Sequence, residues 1–220
     1  MKKRTFITHL HLKSKRNYKK RMFQNKVYCM GIAKKYDKRY WDGKRNFGYG
    51  GYRFIEGYWR LTAKKLVKTY KLTNNSKILD IGCGKGYLLY EIKKILPDIL
   101  VKGLDISSYA VKNSKTEIKK NLKIFNCKKK LPYNKKTFDL VLSLGTIHNF
   151  NLIEIETVIK EIARVGKRAY IMVESYRNNE ELFNLQCWAL TCESFFSPIE
   201  WKHIFKSNNY KGDYEFIYFN

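Results

Sequence analysis

The 220-residue sequence has few prolines, few acidic residues and no long apolar run. It contains three prolines, and 19 aspartates and glutamates stand against 45 lysines and arginines. No apolar stretch approaches the ~20 residues that a membrane-spanning helix needs, so no membrane span is predicted. The basic N-terminus precedes residues 6–12, a segment too short and too polar for a signal-peptide core. We therefore expect a cytoplasmic protein.

Paired cysteine motifs are also missing. The five cysteines are widely spaced, and none belongs to a Cys-x-x-Cys pair. An odd number at such spacing argues against a disulfide framework and against a zinc site. We expect reduced thiols and no bound metal, in a globular chain whose 44% hydrophobic content suffices for a full core.

The formal net charge of +26 has two interpretations. A strongly basic surface is typical of proteins that bind RNA or DNA. The alternative is a compositional bias toward lysine, asparagine, isoleucine and tyrosine. Lysine greatly outnumbers arginine and is scattered along the chain, whereas nucleic-acid readers concentrate arginine in a patch. The bias is favoured, and a nucleic-acid partner is kept as the alternative.

The chain divides near residue 59. Residues 1–35 are basic with sparse apolar positions, and they are typical of an arm or a cap. Residues 36–59 alternate aromatic residues with glycines, as in the run Phe47-Gly-Tyr-Gly-Gly-Tyr-Arg53. Regular apolar periods begin at residue 60. We therefore predict a basic N-terminal arm and glycine–aromatic cap over 1–59, and a main domain over 60–220.

Apolar strands alternate with helical patterns throughout that second region. The spacing predicts strands over 77–81, 99–104, 122–125, 138–143, 169–174 and 215–219, and helices near 61–70, 87–96, 108–120 and 155–162 and from Ser197 onward. This alternation indicates an α/β fold: a doubly wound, mostly parallel sheet with helices on both faces. Such sheets bind ligands at the carboxyl ends of their strands, where the strand order reverses.

The strongest local signal is a glycine turn after the first strand. Asp80 stands near the end of that strand, and Gly82, Gly84 and Gly86 follow it directly. Glycines allow a tight turn and let a ligand approach the backbone. Asp105 ends the second strand, 19 positions after Gly86, where an acid can accept hydrogen bonds from ribose hydroxyls. The pattern predicts a nucleoside cofactor.

The glycine spacing argues against a dinucleotide. A pyrophosphate site has the pattern Gly-x-Gly-x-x-Gly, but here the third glycine comes one position early and Tyr87 stands in its place. The carboxylate of Asp80 suits a cationic amino-acid group better than a pyrophosphate. A plain strand–turn–helix and a nicotinamide or flavin site are the alternatives.

Residues 79–86 closely resemble motif I of the class I S-adenosylmethionine-dependent methyltransferases. Residues 103–107 look like their second motif, and Leu131-Pro132-Tyr133 followed by residues 138–141 is similar to the run that leads into their fourth strand. The resemblance covers about residues 60–175. It implies S-adenosyl-L-methionine as cofactor and a seven-stranded sheet whose last strand is antiparallel. Only one strand is predicted after the Ser197 helix, so a six-stranded sheet is equally open.

The resemblance also implies the cofactor-binding residues, position by position. Those expected around the methionine part are Asp80, Gly82, Cys83 and Gly84, those expected at the ribose and adenine are Asp105 and Ile106, and Leu144 is expected to line the pocket. The family usually has an aspartate for the adenine amino group after strand three, but this chain has Asn126-Cys127. Asn126 or a backbone group is expected to replace it, with Cys127 beside it.

Two residues are predicted to be catalytic. His148 follows the fourth strand, and a neutral imidazole accepts a proton near pH 7. Glu174 ends the fifth strand, where a carboxylate is costly unless it is paired or functional. The structural alternatives are a histidine bonded to backbone at a helix start, and a Glu174–Arg177 ion pair.

The glycine–aromatic segment is predicted to close over cofactor and substrate and to exclude water, with a packed cap as the alternative. Arg53 would bind an anionic group on either molecule. The full set of predicted substrate residues is Tyr49, Tyr52, Arg53, Asn149, Tyr176 and Arg177.

The acceptor is predicted to be a small polar metabolite methylated on oxygen or nitrogen, with a sugar or surface-carbohydrate precursor as one candidate. No Asp/Asn-Pro-Pro-Tyr run follows strand four, and no proline precedes a cysteine, so two classes of nucleic-acid base methyltransferase are disfavoured. An RNA methyltransferase that uses the basic surface and a cofactor-binding protein without catalysis are the rival hypotheses.

Overall fold

The computed structural model describes residues 1–220, and its centre is one six-stranded sheet. The strands are β1 (Lys77–Ile81), β2 (Leu100–Asp105), β3 (Leu122–Ile124), β4 (Leu140–Leu144), β5 (Ala169–Glu174) and β6 (Asp213–Ile217). Their order is β3-β2-β1-β4-β5-β6, and all neighbouring pairs are parallel. The predicted α/β fold is confirmed, and no strand bound differs from its prediction by more than two residues.

The antiparallel last strand that the family resemblance implies is absent. β6 pairs with β5 in parallel, and no strand of the opposite direction follows. The outer edge of β6 is covered instead by the N-terminal residues, since the Arg4 amide donates to the Tyr214 carbonyl at 2.8 Å and the Tyr214 amide donates to the Lys2 carbonyl at 3.1 Å. That pairing satisfies backbone groups that an edge strand otherwise exposes.

Eleven α-helices surround the sheet. They are α1 (Thr8–His11), α2 (Tyr18–Phe23), α3 (Lys26–Ala33), α4 (Lys38–Asp42), α5 (Arg60–Thr69), α6 (Tyr87–Ile95), α7 (Ser108–Lys112), α8 (Thr116–Lys119), α9 (Leu152–Val165), α10 (Asn179–Trp188) and α11 (Pro198–Ser207). The helix predicted from Ser197 onward is confirmed, and Ser197 and Glu200 form a reciprocal capping box at its start. None of these helices combines the length and apolarity needed to cross a bilayer.

Two helices differ from the sequence-based expectation. The single helix predicted over 108–120 is broken into α7 and α8. At the break, the side chains of Asn113 and Ser114 each donate at 2.8 Å to a backbone carbonyl of α7, and such bonds compete with helix continuation. Helix α10 was not predicted, because its apolar residues do not follow a clear helical stripe; Asn178 caps its start.

Alternate residues of each strand pack on opposite faces of the sheet. Ile78 and Leu142 belong to one buried cluster, together with α5 and α6. Leu79 and Ile171 belong to a second cluster, together with α9 and α11. Because both faces are covered, nearly every residue of the central strands is buried.

The N-terminal segment is fastened to the sheet by one buried carboxylate. Glu215 of β6 is fully buried and accepts hydrogen bonds from the backbone amides of Phe6, Ile7 and Thr8, from the Thr8 hydroxyl at 2.7 Å and from the Tyr170 hydroxyl. Phe6 and Ile7 also join the cluster under α5 and α6. From this anchor, the following residues run over the carboxyl ends of the strands.

Candidate active site

A cavity of about 480 Å³ lies between the carboxyl ends of the central strands and the N-terminal segment. The core contributes Asp80, Gly82, Cys83, Gly84, Leu144, Gly145, His148, Asn149, Met172 and Glu174 to its lining. The N-terminal segment contributes Arg16, Arg21, Arg45, Tyr49, Tyr52 and Arg53, among others. The predicted catalytic pair and most of the predicted substrate residues therefore face one space.

The turn after β1 has a backbone that only glycine adopts readily. Gly82, Gly84 and Gly86 have φ angles of +75°, +55° and +71°, in the left-handed region. A Cβ at Gly82 would lie 2.0 Å from the Thr146 hydroxyl oxygen, and one at Gly84 would lie 2.9 Å from the Trp41 ring. Because these positions carry no side chain, the backbone of the turn lies directly against Thr146 and Trp41.

The two acids beside this turn differ in their hydrogen bonding. Asp105 accepts from the Gly84 amide at 2.7 Å and from the Ser107 amide at 2.8 Å. Asp80 has a buried Oδ1 with no hydrogen-bond partner. Its burial, with a further contribution from the charge of Asp105, raises the pKa of Asp80 to about 7. Asp80 therefore lacks a cationic or hydrogen-bonding partner on the cavity side.

These residues fit S-adenosyl-L-methionine. The ammonium group of a methionine moiety is the kind of partner that the orphaned Oδ1 of Asp80 lacks. Each carboxylate oxygen of Asp105 accepts one amide, so each keeps a further lone pair that a ribose hydroxyl can use.

The residues predicted for the adenine lie outside the cavity lining. Ile106 is about half exposed, and the Asn126 side-chain oxygen accepts from the Lys128 amide at 3.1 Å. Cys127 is buried, and its burial raises the pKa of its thiol to about 12, so it stays protonated. On this side, the Trp41 indole donates to the Ser107 hydroxyl at 2.8 Å and covers the turn.

His148 and Glu174 meet at the far wall of the cavity. The Glu174 amide donates to His148 Nδ1 at 3.3 Å, and His148 Nε2 lies 3.6 Å from Glu174 Oε2. Burial lowers the pKa of His148, so the ring is neutral near pH 7. With Nδ1 as acceptor, its single proton sits on Nε2, and the 3.6 Å separation from Glu174 Oε2 is longer than a hydrogen bond. The two side chains therefore line the cavity side by side, without a hydrogen bond between them.

The suggested Glu174–Arg177 ion pair does not form. Arg177 pairs with Glu181 of α10 instead, because the two side chains are one helical turn apart. Neither Arg177 nor its neighbour Tyr176 lines the cavity. The structure therefore does not bring these two predicted substrate residues to the site.

The other predicted substrate residues do line it. Asn149 donates through its amide nitrogen to the Gly145 and Thr146 carbonyls, which leaves its Oδ1 buried and without a partner. Tyr49 stacks on Trp41, with ring centroids 5.3 Å apart. The cavity thus presents an unused amide acceptor opposite an aromatic wall.

A buried ion pair joins the N-terminal segment to the glycine turn. Lys85 Nζ lies 2.8 Å from Asp42 Oδ2 and donates to the Tyr52 carbonyl at 2.8 Å. Tyr109 also donates to Asp42 at 2.8 Å. Residues 36–54 therefore pack directly on the glycine turn after β1, which we call the cofactor turn. Sequence reasoning missed this contact, because 43 residues separate the two charges and no local pattern links them.

Sequence comparisons agree with this geometry. A methyltransferase-domain family matches residues 72–212, and an O-methyltransferase-domain family matches residues 9–130. The chain is 30% identical to the mitochondrial arginine-hydroxylase NDUFAF5 of Mus musculus over 109 residues, which are 50% of this chain and 31% of that protein. It is 28% identical to the demethylmenaquinone methyltransferase of Thermotoga maritima over 137 residues, 62% of this chain and 54% of that protein. The chain therefore spans about a third to a half of the length of these curated relatives.

Among solved structures, a methyltransferase of unassigned substrate from Bacillus halodurans superposes with a TM-score of 0.55. The match covers 66% of this chain and 67% of that one, at 17% sequence identity. At that identity the likeness concerns the fold alone. It shows the same arrangement of sheet and helices that the strand order describes.

Proposed function

Because the chain belongs to the class I S-adenosylmethionine-dependent methyltransferases, we propose that it methylates an oxygen or nitrogen of a small polar metabolite. The observation on which this depends is the presence of two carboxylates in one cavity: Asp80, whose Oδ1 has no hydrogen-bond partner, and Glu174, which lies beside His148. The first suits the cofactor's ammonium group, and the second suits the proton that an acceptor loses.

Different residues around the cavity would bind the cofactor and remove the proton. Bound S-adenosyl-L-methionine supplies an electrophilic methyl group on a sulfonium sulfur, and the sulfur keeps the electron pair of the broken bond. Asp80 and the turn around Gly82, Cys83 and Gly84 would hold the methionine part. The expected ribose and adenine contacts remain Asp105, Ile106, Asn126 and Cys127, with Leu144 on the pocket wall. The protein mainly aligns the acceptor behind the methyl carbon.

Proton removal falls to Glu174. When the acceptor oxygen or nitrogen bonds to the methyl carbon, its proton is released, and Glu174 is the carboxylate left to take it, because Asp80 is assigned to the cofactor's ammonium group. The neutral ring of His148 lies beside that carboxylate, with Nε2 3.6 Å from Oε2. A positioned base of this kind contributes about 10²–10⁴-fold to the rate.

The size of the cavity favours a small acceptor over RNA. Small-molecule sites have volumes of roughly 300–1,000 Å³ and bury most of the ligand. The N-terminal segment closes one side of this cavity with Trp41, Tyr49 and Tyr52. A sugar or surface-carbohydrate precursor stays one candidate within this class.

Isothermal calorimetry with S-adenosylhomocysteine, combined with transfer of a labelled methyl group, tests the proposal. We expect binding to the wild type, a loss of about tenfold or more in Asp105→Ala, and no change in Asp98→Ala, an exposed aspartate in the turn before β2. With a small-molecule extract and total RNA offered together, we expect the label in the small-molecule fraction.

Two results would contradict it. Label in RNA, with an affinity that falls steeply as salt rises, would establish the nucleic-acid alternative. Cofactor binding without transfer to any fraction would establish a cofactor-binding protein without catalysis.

A further inference from the structure

Three guanidinium groups surround one indole ring in the cavity wall. The guanidinium carbons of Arg16, Arg21 and Arg45 lie 5.5, 4.9 and 4.9 Å from the ring centre of Trp188. All four residues line the cavity. We call these three residues the arginine cluster.

No carboxylate forms a salt bridge with the arginine cluster. Arg16 donates to the His11 and Ser14 carbonyls and to the His11 ring, Arg21 donates to the Trp188 and Arg45 carbonyls, and Arg45 donates to the Gly48 carbonyl. Several other arginines of the chain pair with acids, as in Arg4–Asp213 and Arg164–Glu161. Carbonyl oxygens occupy part of the donor set but supply no opposite charge.

Several donors of the arginine cluster are unused. Arg16 Nε is buried and has no hydrogen-bond partner. Arg21 is itself buried, and its desolvation lowers the pKa of the guanidinium to about 10, so the group remains charged near pH 7. Like charges gathered in a poorly solvated space are unfavourable unless an anion joins them. The only acids in the cavity lining are Asp80 and Glu174, which the proposed function already employs.

We infer that the methyl acceptor is a small acid whose carboxylate or phosphate group binds the arginine cluster while its reacting atom faces Glu174. The position of the reacting atom at Glu174 rests on the proposed function. The binding of an anion by the arginine cluster is argued from the cavity alone. Planar guanidiniums bind both anions through paired hydrogen bonds, so the structure assigns the charge of the ligand and leaves the choice of group to experiment.

The cofactor's own carboxylate does not account for the arginine cluster. A single carboxylate has two oxygens, and one bidentate arginine occupies both of them. Arg53, which also lines the cavity and forms no hydrogen bond or ion pair, is available for that carboxylate. Three further guanidiniums around Trp188 exceed what the cofactor needs.

Binding of a simple anion in the presence of S-adenosylhomocysteine tests the inference. The probes are benzoate, phenyl phosphate and benzamide, the last being a neutral analogue of benzoate. We expect either anion to bind at least tenfold more tightly than benzamide, and the tighter anion identifies the group. Arg16→Gln and Arg45→Gln should each weaken the anion about tenfold without changing the affinity for benzamide or S-adenosylhomocysteine. Arg39→Gln, which removes an equal charge from the exposed surface of α4, should change none of these affinities.

Each other outcome overturns the inference. Equal affinity for benzoate, phenyl phosphate and benzamide would mean that the cluster binds no anion. Weakened S-adenosylhomocysteine binding in Arg16→Gln and Arg45→Gln, with anion affinity intact, would assign the cluster to the cofactor. Displacement of the bound anion by a short single-stranded RNA would assign it to nucleic acid.

The probes separate this inference from the proposed function, since they report binding and not turnover. Circular dichroism melting of each variant establishes that it is folded. A protein that binds the anion yet transfers no methyl group would refute the function and leave the anion site standing. Methyl transfer to a neutral acceptor would support the proposed function and refute the inference that the acceptor is an acid.

Discussion

The two halves of the cavity are built in different ways. The cofactor half is one continuous strand–turn–helix, residues 77–95, and Asp105 of the neighbouring strand hydrogen-bonds to its turn without lining the cavity. The other half joins segments that are distant in the chain: Arg21 and Trp188 meet across 167 residues. A bound nucleoside can therefore be anticipated from a short motif, whereas the acceptor pocket exists only after the N-terminal segment has packed on the core.

The same contrast holds for the acids. Asp80 and Asp105 lie at the ends of two adjacent strands and lie near the cofactor turn by topology alone. Glu174 is predicted from the end of its strand, but only the fold shows that the loop after β4 brings His148 beside it. Two substitutions and a change of pH test this contrast between the half of the cavity that short sequence motifs encode and the half that forms only through tertiary packing.

The largest effect is expected for Glu174→Gln. An amide has the same shape but cannot accept the acceptor's proton, so kcat should fall by about 10²–10⁴-fold with little change in KM. Steady-state kinetics with the identified acceptor measures this, and Glu180→Gln on the exposed start of α10 is the matched control. An unchanged kcat would show that alignment suffices and that the cavity needs no base.

Glu215→Gln is expected to have the next largest effect, on stability. The glutamine side chain would place an NH2 donor where the backbone N–H groups of residues 6–8 now find carboxylate acceptors. Because some of these N–H groups would lose their acceptor, the free energy of unfolding should fall by about 2–4 kcal/mol. Urea denaturation measures the loss, and Glu117→Gln at an exposed position is the control. If hydrogen exchange quickens only in residues 1–59, the N-terminal segment opens independently; equal stability would mean that Glu215 is not its anchor.

The smallest effect is a pH dependence of cofactor affinity. Folding raises the pKa of Asp80 from 3.8 to about 7, so the free protein takes up a proton between those values and loses stability as pH rises through that window. A cationic ammonium group prefers ionised Asp80. Affinity for S-adenosylhomocysteine should therefore drop about tenfold per pH unit below 7 and level off above it.

Calorimetry from about pH 5.5 to 7.5 checks this, and Asp80→Asn should bind weakly with a flat profile. The pH dependence of S-adenosylhomocysteine affinity should persist in Arg45→Gln, because Asp80 belongs to the cofactor half of the cavity and Arg45 to the other half. A flat profile in the wild type would mean that Asp80 is ionised before the cofactor arrives.

The sequence predicted most of the core and the cofactor turn for a local reason. Strand periods, the glycines with positive φ and the Ser197 capping box each depend on residues within a few positions of one another. The break near Asn113 depends on two side-chain bonds that the apolar pattern does not reveal. Arg177 was linked to Glu174 by proximity along the chain, but a helix starting at Asn179 turned it toward Glu181.

The sequence alone determined the α/β core and the two carboxylates beside its glycine turn, and it predicted a charged nucleoside there, because backbone conformation and strand periods follow from short-range patterns. Only the tertiary structure decided the direction of the edge strand, the placement of His148 beside Glu174, and the gathering of Arg16, Arg21 and Arg45 around Trp188. Those features arise from packing between distant segments, where burial and charge act through space rather than along the chain.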